Sequence, residues 1–239
     1  MAAPANDAGW NALTEAERAE VRARASQSRG ERSLAAMKEA LAARPQVIID
    51  LAFDELMTDR QIVSLAQQLG FCHAATKRSR AAGHPALTHC LSSYCGRLAA
   101  RLPLVHGSSS WPVARHSDSY LNVAASHGLK AGSKGLVYLT AEGEEVLSCI
   151  DPESTYVIGG LVDRNQHVGI VYRRAQAHGV CTARLPLAEY APWLKRDGRA
   201  LTVNQCFEML TLRAEGRLWE EVILETLPPR RRERLGEGR

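Results

Sequence analysis

TYVIGGLVDRNQHVGIVYRRAQAHGVCTARLPLAEY, residues 155–190, holds a complete strand–loop–helix–strand unit, and the fold follows from it. Tyr156, Val157 and Ile158 form a short apolar run that stops at Gly159-Gly160, the pattern of a strand buried on both faces of a parallel sheet. Asp163, Arg164, Asn165, Gln166 and His167 then set polar groups where that strand ends. From Gly169 to His178 charged and apolar residues mix as they do on a helix, and Gly179 stands where a helix terminator belongs. Thr182 to Leu187 returns as a strand. Open α/β sheets bind ligands at the carboxyl ends of their strands, so the glycine pair and Asp163 occupy the position where chemistry is expected. A glycine pair also serves ordinary tight turns, and spacing alone leaves both readings open.

Toward the N-terminus, Leu136 to Thr140 reads as a central strand. The preceding SHGLKAGSKG, residues 126–135, is loop-like and does not match a GxxxxGK[ST] phosphate loop. No GxGxxG occurs, which argues against a Rossmann dinucleotide site. Pro112 to His116 fits an edge strand, with Ser117 as the cap of the helix after it. A helix is predicted from about Leu87 to Leu102, with Leu87, Cys90, Leu91, Tyr94, Leu98 and Leu102 on its apolar side. Val47 to Phe53 is the first strand, with Asp50 near its end. Thr58 or Asp59 caps the next helix, where Ile62, Leu65, Ala66 and Leu69 recur at helical spacing and Gly70 closes it. CHAAT, residues 72–76, is expected as a strand leading into a loop that holds Lys77, Arg78 and Arg80. That loop either grips phosphate or is simply solvated. Residues 1–45 form an extension rich in Ala, Glu and Arg, with Thr14 and Glu17 spaced as a capping box. Its charges nearly balance, as on a solvated helix.

On the far side of the opening stretch, Ala191 to Arg199 is a basic loop with Lys195, Arg196 and Arg199. Leu201 to Glu215 is strongly helical, with Val203, Phe207, Leu210 and Ala214 at core spacing, and Trp219 to Leu227 adds a last amphipathic helix. The tail, PPRRRERLGEGR, brings Arg230, Arg231 and Arg232 together in a proline-broken basic run, either a solvated end or an RNA contact. Strands and helices alternate from Val47 onward, which predicts an α/β sheet covered on both faces. The divisions are 1–45, 46–227 and 228–239.

At 239 residues and 26.1 kDa the chain suits one medium domain with a short extension. No apolar run approaches the ~20 residues of a membrane span, so no membrane partner is expected. The start, MAAPANDAGWNAL, has no basic segment followed by a hydrophobic one and does not read as a secretory signal. Cys72, Cys90, Cys95, Cys149, Cys181 and Cys206 include no CxxC pair, so no metal site is expected. They read as free thiols of a reducing compartment, nucleus or cytoplasm. The net charge of +4 and pI near 8.8 allow a nucleic-acid partner without requiring one.

YVIGGLVDRNQH, TARLPL and LTVNQCFEML, preceded in the same order by VIIDLAFDELMTDRQIVSLAQQL (47–69) and YLTAE (138–142), closely resemble the tRNA position-9 N1-methyltransferases, a branch of the knotted SPOUT methyltransferases. The match runs from about Val47 to Pro228. The resemblance implies an α/β SPOUT-type sheet with helices on both faces and a C-terminal trefoil knot. It also implies S-adenosylmethionine as methyl donor, S-adenosylhomocysteine as product, tRNA as substrate, a basic RNA-binding arm in the N-terminal extension, and a monomer. Carried onto this chain, cofactor-binding positions are Leu139, Thr140, Gly159, Gly160, Cys181, Thr182, Leu185, Leu187, Leu201, Val203 and Asn204. Candidate RNA contacts are Lys77, Arg78, Arg80, Arg164, Asn165, Lys195, Arg196 and Arg230 to Arg232. Val168 stands where the family usually has a lysine, so one cation toward RNA is missing.

Asp163 is the expected catalytic residue. Guanine carries a proton on N1 that must leave as the methyl arrives, and a positioned base accelerates such a step by typically ~100- to ~10,000-fold. Aspartate is intrinsically a weak base at neutral pH, so the carboxylate acts either as the base or as an orienting group while alignment supplies the rate. A helix-capping role is the competing structural reading. Adenine at position 9 is the alternative target. A non-catalytic tRNA-binding scaffold subunit and a SPOUT enzyme acting on ribosomal RNA are the rival functions.

Overall fold

The computed structural model describes residues 13–24, 27, 44–84, 86–163, 166–194 and 201–227. Seven strands form one sheet: β1 (Val47–Asp50), β2 (His89–Ser92), β3 (Ala114–Arg115), β4 (Leu136–Leu139), β5 (Glu145–Val146), β6 (Thr155–Gly159) and β7 (Cys181–Arg184). Their order is β3-β2-β1-β6-β4-β7-β5, and every neighbouring pair is parallel. The stretch 155–159 thus supplies the middle of the sheet, between β1 and β4.

Side chains alternate between two cores. Val47, Ile49, Tyr156 and Ile158 point into the larger one, while Ile48, Val157, Leu136 and Tyr138 point into the smaller. Helices α1 (Asp59–Ala81), α2 (Gly96–Arg101), α6 (Val203–Ala214) and α7 (Trp219–Thr226) cover the larger core; α3 (Tyr120–Ser126) and α4 (Ile170–Ala177) cover the smaller. The short α5 (Leu187–Tyr190) follows β7. Each fully buried Val, Ile or Leu contributes about 1.5–3 kcal/mol of transfer free energy, so an apolar run buried on both sides is the expected signature of these strands.

Capping follows the sequence closely. Thr58 and Gln61 form a capping box on α1, Thr202 and Gln205 form one on α6, and Thr14 with Glu17 opens a helix over residues 15–24. Gly179, with φ of 63°, terminates α4 as expected.

Three expectations need correction. CHAAT is not a strand, and Gly70 does not end a helix: α1 continues through both to Ala81. Its buried side without interruption includes Ile62, Leu65, Ala66, Leu69, Cys72, Ala75, Thr76 and Ser79, so the helical period never lapses. Gly70 lies against the Trp111 ring, which an added Cβ would meet at 3.4 Å, ordinary van der Waals contact, so nothing at this glycine interrupts the helix. Lys77, Arg78 and Arg80 therefore ride on the last turns of α1 rather than on a loop. The helix predicted over Leu87 to Leu102 is instead β2, a turn in which Ser93 takes a positive φ of 52°, and α2. Finally, Ser119, not Ser117, caps α3, its side chain accepting from the Asn122 amide.

Of the extension (1–45) and the tail (228–239), most or all lies outside the described residues, as do Arg164, Asn165, Lys195, Arg196 and Arg230 to Arg232.

Candidate active site

The carboxyl ends of β4, β6 and β7 open into a cleft of about 980 Å³, lined by the residues that follow each strand and by the first turn of α6. That size is in the range of small-molecule sites. After β4 come Leu139, Thr140, Ala141 and Glu142; Ile158, Gly159, Leu161 and Asp163 come from the end of β6. Arg184, Leu185, Leu187 and Ala188 follow β7, and Leu201, Thr202, Val203 and Cys206 close the far wall.

Backbone interactions set the first of these walls. The Thr140 amide donates to the Ala183 carbonyl at 2.9 Å, and Gly143 donates to the Thr140 carbonyl at 3.2 Å. Gly143 lies so close to β7 that an added Cβ would sit 2.6 Å from the Ala183 carbonyl carbon. Within the resulting turn, the Thr140 hydroxyl donates to Glu142 Oε2 at 2.5 Å.

Asp163 sits in a turn of its own. Its Oδ2 accepts the His167 amide at 2.9 Å, and its carbonyl accepts the Gln166 amide at 3.1 Å. The turn continues as His167 O accepts the Ile170 amide at 3.1 Å, and Gly169, with φ of 72°, is the N-cap of α4. The carboxylate is thus held by the backbone while it lines the cleft. Arg184 is pinned at the rim by a two-pronged pair with Glu189, at 2.9 and 2.7 Å. Burial pushes the Cys206 thiol up to about 12, so it is no nucleophile at neutral pH.

Apolar walls from Leu139, Ile158, Leu185, Leu187 and Val203, combined with the carboxylates of Glu142 and Asp163, suit a ligand with a flat apolar part and a positive centre. A purine nucleoside bearing a sulfonium has both, so the residues present fit S-adenosylmethionine.

Of the positions named from the sequence, Leu139, Thr140, Gly159, Asp163, Leu185, Leu187, Leu201 and Val203 come together on this cleft. Four do not line it. Gly160 faces β1 instead: its amide donates to the Asp50 carbonyl at 2.8 Å, and an added Cβ would meet Leu51 Cδ2 at 2.6 Å. Cys181 and Thr182 begin β7, at the opposite edge of the sheet. Asn204 is one helical step from Val203 and turns off the cleft, whereas Cys206, three residues on, shares its face. Neither is Asn204 the group that satisfies the helix start: Thr202 caps it, and Gln68 Oε1 accepts the Val203 amide at 2.9 Å. Glu142, Arg184 and Cys206 were missed, although Glu142 stands in the quoted YLTAE and Cys206 follows from helical spacing.

The cations of α1 divide. Arg78 pairs with Glu208 at 2.5 Å. Lys77 and Arg80 line a smaller cleft of about 150 Å³ with His73, His89 and Val113, at the amino edge of the sheet.

The sequence model described as tRNA (guanine(9)-N(1))-methyltransferase TRM10/TRM10A matches residues 9–232. The chain is 35% identical over 189 residues to the tRNA (guanine(9)-N1)-methyltransferase of Schizosaccharomyces pombe, covering 78% of this chain and 59% of that protein. Against tRNA (guanine(9)-N(1))-methyltransferase Trmt10A of Drosophila melanogaster it is 36% identical over 185 residues, covering 77% of this chain and 55% of that one. It thus spans less than two thirds of the length of either relative. A crystal structure of full-length spTrm10 in complex with SAH superposes with a TM-score of 0.66 at 33% identity, covering 77% of this chain and 97% of that chain.

Proposed function

This chain belongs to the tRNA (guanine(9)-N(1))-methyltransferase TRM10/TRM10A family and has its SPOUT-type fold, and from that membership we propose that it transfers a methyl group from S-adenosylmethionine to N1 of guanine at position 9 of tRNA. The observation that carries the proposal is the Asp163 carboxylate on the wall of a cleft built from strand ends, beside apolar surface that suits an adenine ring. When bound, the cofactor supplies an electrophilic methyl on sulfur. Leu139, Leu185, Leu187 and Val203 would hold its apolar part, and Glu142 offers an acceptor to its cationic end. Asp163 would accept the guanine N1 proton or hold the purine by it. A positioned base contributes ~10²- to ~10⁴-fold, and alignment of donor and acceptor supplies much of the rest.

Adenine N1 carries no proton to remove, so the position of Asp163 on the cleft favours guanine. In this reading residues 46–227 form the catalytic domain, with a trefoil knot at its C-terminal end, and act as a monomer in the nucleus or cytoplasm. The extension (1–45), Lys77, Arg78, Arg80, Lys195, Arg196 and the basic tail (228–239) meet RNA phosphates.

The test is incubation with S-adenosylmethionine and tRNA transcripts carrying guanosine or adenosine at position 9, followed by mass-spectrometric mapping of the methylated nucleotide. Methyl on G9 with a rate that rises with pH is the expected result. A chain that binds the cofactor calorimetrically but methylates neither transcript overturns the proposal, and methylation of A9 alone reassigns the substrate.

A further inference from the structure

We propose that Arg174 is a positioning residue whose ion pair with the buried Asp50 carboxylate seats α4 on the sheet and thereby fixes the loop carrying Asp163; the catalytic part of this claim rests on the methyl-transfer reading above.

Asp50 ends β1 and is fully buried. Its Oδ2 accepts from Arg174 Nε at 2.9 Å and from the Tyr138 hydroxyl at 3.0 Å, while Oδ1 accepts from Ser93 Oγ and the Ala52 amide, both at 3.3 Å. Among the described residues Arg174 is the only cation paired with it. The guanidinium is also held by two rings, with its carbon 5.5 Å from the centre of Phe53 and 5.7 Å from that of Tyr120.

The same Asp50 offers its carbonyl to the Gly160 amide at 2.8 Å. One residue therefore clips both ends of segment 160–174, through its backbone at the start and its carboxylate at the finish. Asp163 lies between the two clips. Hydrogen bonds connect it to the far clip: His167 N to Asp163 Oδ2, Ile170 N to His167 O, and then the turns of α4.

Apolar packing shares this work: Ile170 and Val171, both partly buried, pack against the larger core, and Val171 against the smaller as well. The only side chain that α4 buries completely is Ala175, a methyl group. The polar tie adds to these contacts at the far end of the segment, and an unpaired buried carboxylate left behind by losing that tie is strongly unfavourable. Displacement of a reacting group by about 1 Å costs up to ~100-fold in rate, so the tie bears on catalysis without touching substrate.

The test uses the full chain with three substitutions: Arg174→Met, which keeps length but removes charge; Arg174→Lys, which keeps charge; and Arg174→Gln, which keeps a donor should the methionine variant not fold. Single-turnover rate, KM for tRNA and cofactor Kd are measured below each variant's melting range, together with hydrogen exchange at the His167 amide. Without the charge, kcat is expected to fall roughly 10- to 100-fold with KM and Kd nearly unchanged, lysine restoring part of it. Exchange at His167 should quicken by about tenfold or more, while β1 and β6 keep their protection. Wild-type kcat and wild-type His167 exchange in a folded charge-free variant overturn the proposal, as does exchange that rises equally in β1 and β6. If the unsubstituted chain methylates no tRNA, it is the functional reading that fails; the exchange measurement still decides whether Arg174 positions the loop.

Discussion

Asp163 serves its own turn as well as the cleft, because its Oδ2 accepts the His167 amide at 2.9 Å. An Asp163→Asn chain keeps an acceptor for that amide and loses the charge, so it should fold normally, with cofactor affinity lowered modestly by the lost attraction to the sulfonium. Guanine methylation should slow by ~10²- to ~10⁴-fold if the carboxylate takes the proton, and by much less if it only orients the base; single-turnover kinetics beside calorimetry separate the two. His89 makes a different prediction. Burial, with smaller contributions from nearby His73 and Arg80, pushes its imidazole down to about 3. The unfolded chain takes up a proton there below pH ~6.5 and the folded chain does not, so this contribution to stability is complete above ~6.5 and is lost as pH falls toward 3. Urea unfolding should show about 2 kcal/mol lost between pH 7 and 5, and His89→Gln should largely abolish that difference. Asp163 stands three residues past the glycine pair that ends a strand, which is how the sequence alone puts it beside the cleft. A 100° helical step, invisible in a motif, decides which side of α6 faces the cleft and turns Asn204 off the wall that Val203 and Cys206 line.

At the scale of elements, Gly143 is the tightest joint beside the site. Its Cα hydrogen faces the Ala183 backbone, where an added Cβ would lie 2.6 Å from the carbonyl carbon and 3.0 Å from Cα. Backbone cannot rotate away as a side chain can, so Gly143→Ala must part β7 from the 140–143 turn. Overpacking of this kind costs typically about 1–3 kcal/mol. Thermal melting should register it, and cofactor affinity should fall as well, since Thr140 to Glu142 line the cleft. The unit from β6 through α4 to β7 was legible because glycines and a change of hydrophobic period mark its joints. Residues 72–76 and 87–102 were not. The strand β2 is buried at all four positions and so has no alternation to announce it, while α1 passes through a glycine that local rules read as a stop. In both places burial against the core outweighed local preference.

For the molecule as a whole, a net charge of +4 is modest for a partner as highly charged as tRNA, so affinity should depend on local clusters of cations. Filter binding should give a log–log salt slope of roughly −0.9 per duplex phosphate neutralised, and Lys77→Glu with Arg80→Glu should make it shallower while leaving cofactor affinity intact. Unchanged slope and affinity in that variant would remove the amino-edge cleft from the RNA contact. The sheet order has one more outcome. Because β6 is wedged between β1 and β4, Val47 pairs with His89 on one side but meets its partner on the other edge, Tyr156, only much later in the chain. On a translating ribosome the half-made protein must hold an apolar strand with a bare row of amides and carbonyls until Thr155 to Gly159 emerge. Synthesis therefore runs well ahead of folding, and the nascent chain is most open to misassociation and to chaperones through that interval.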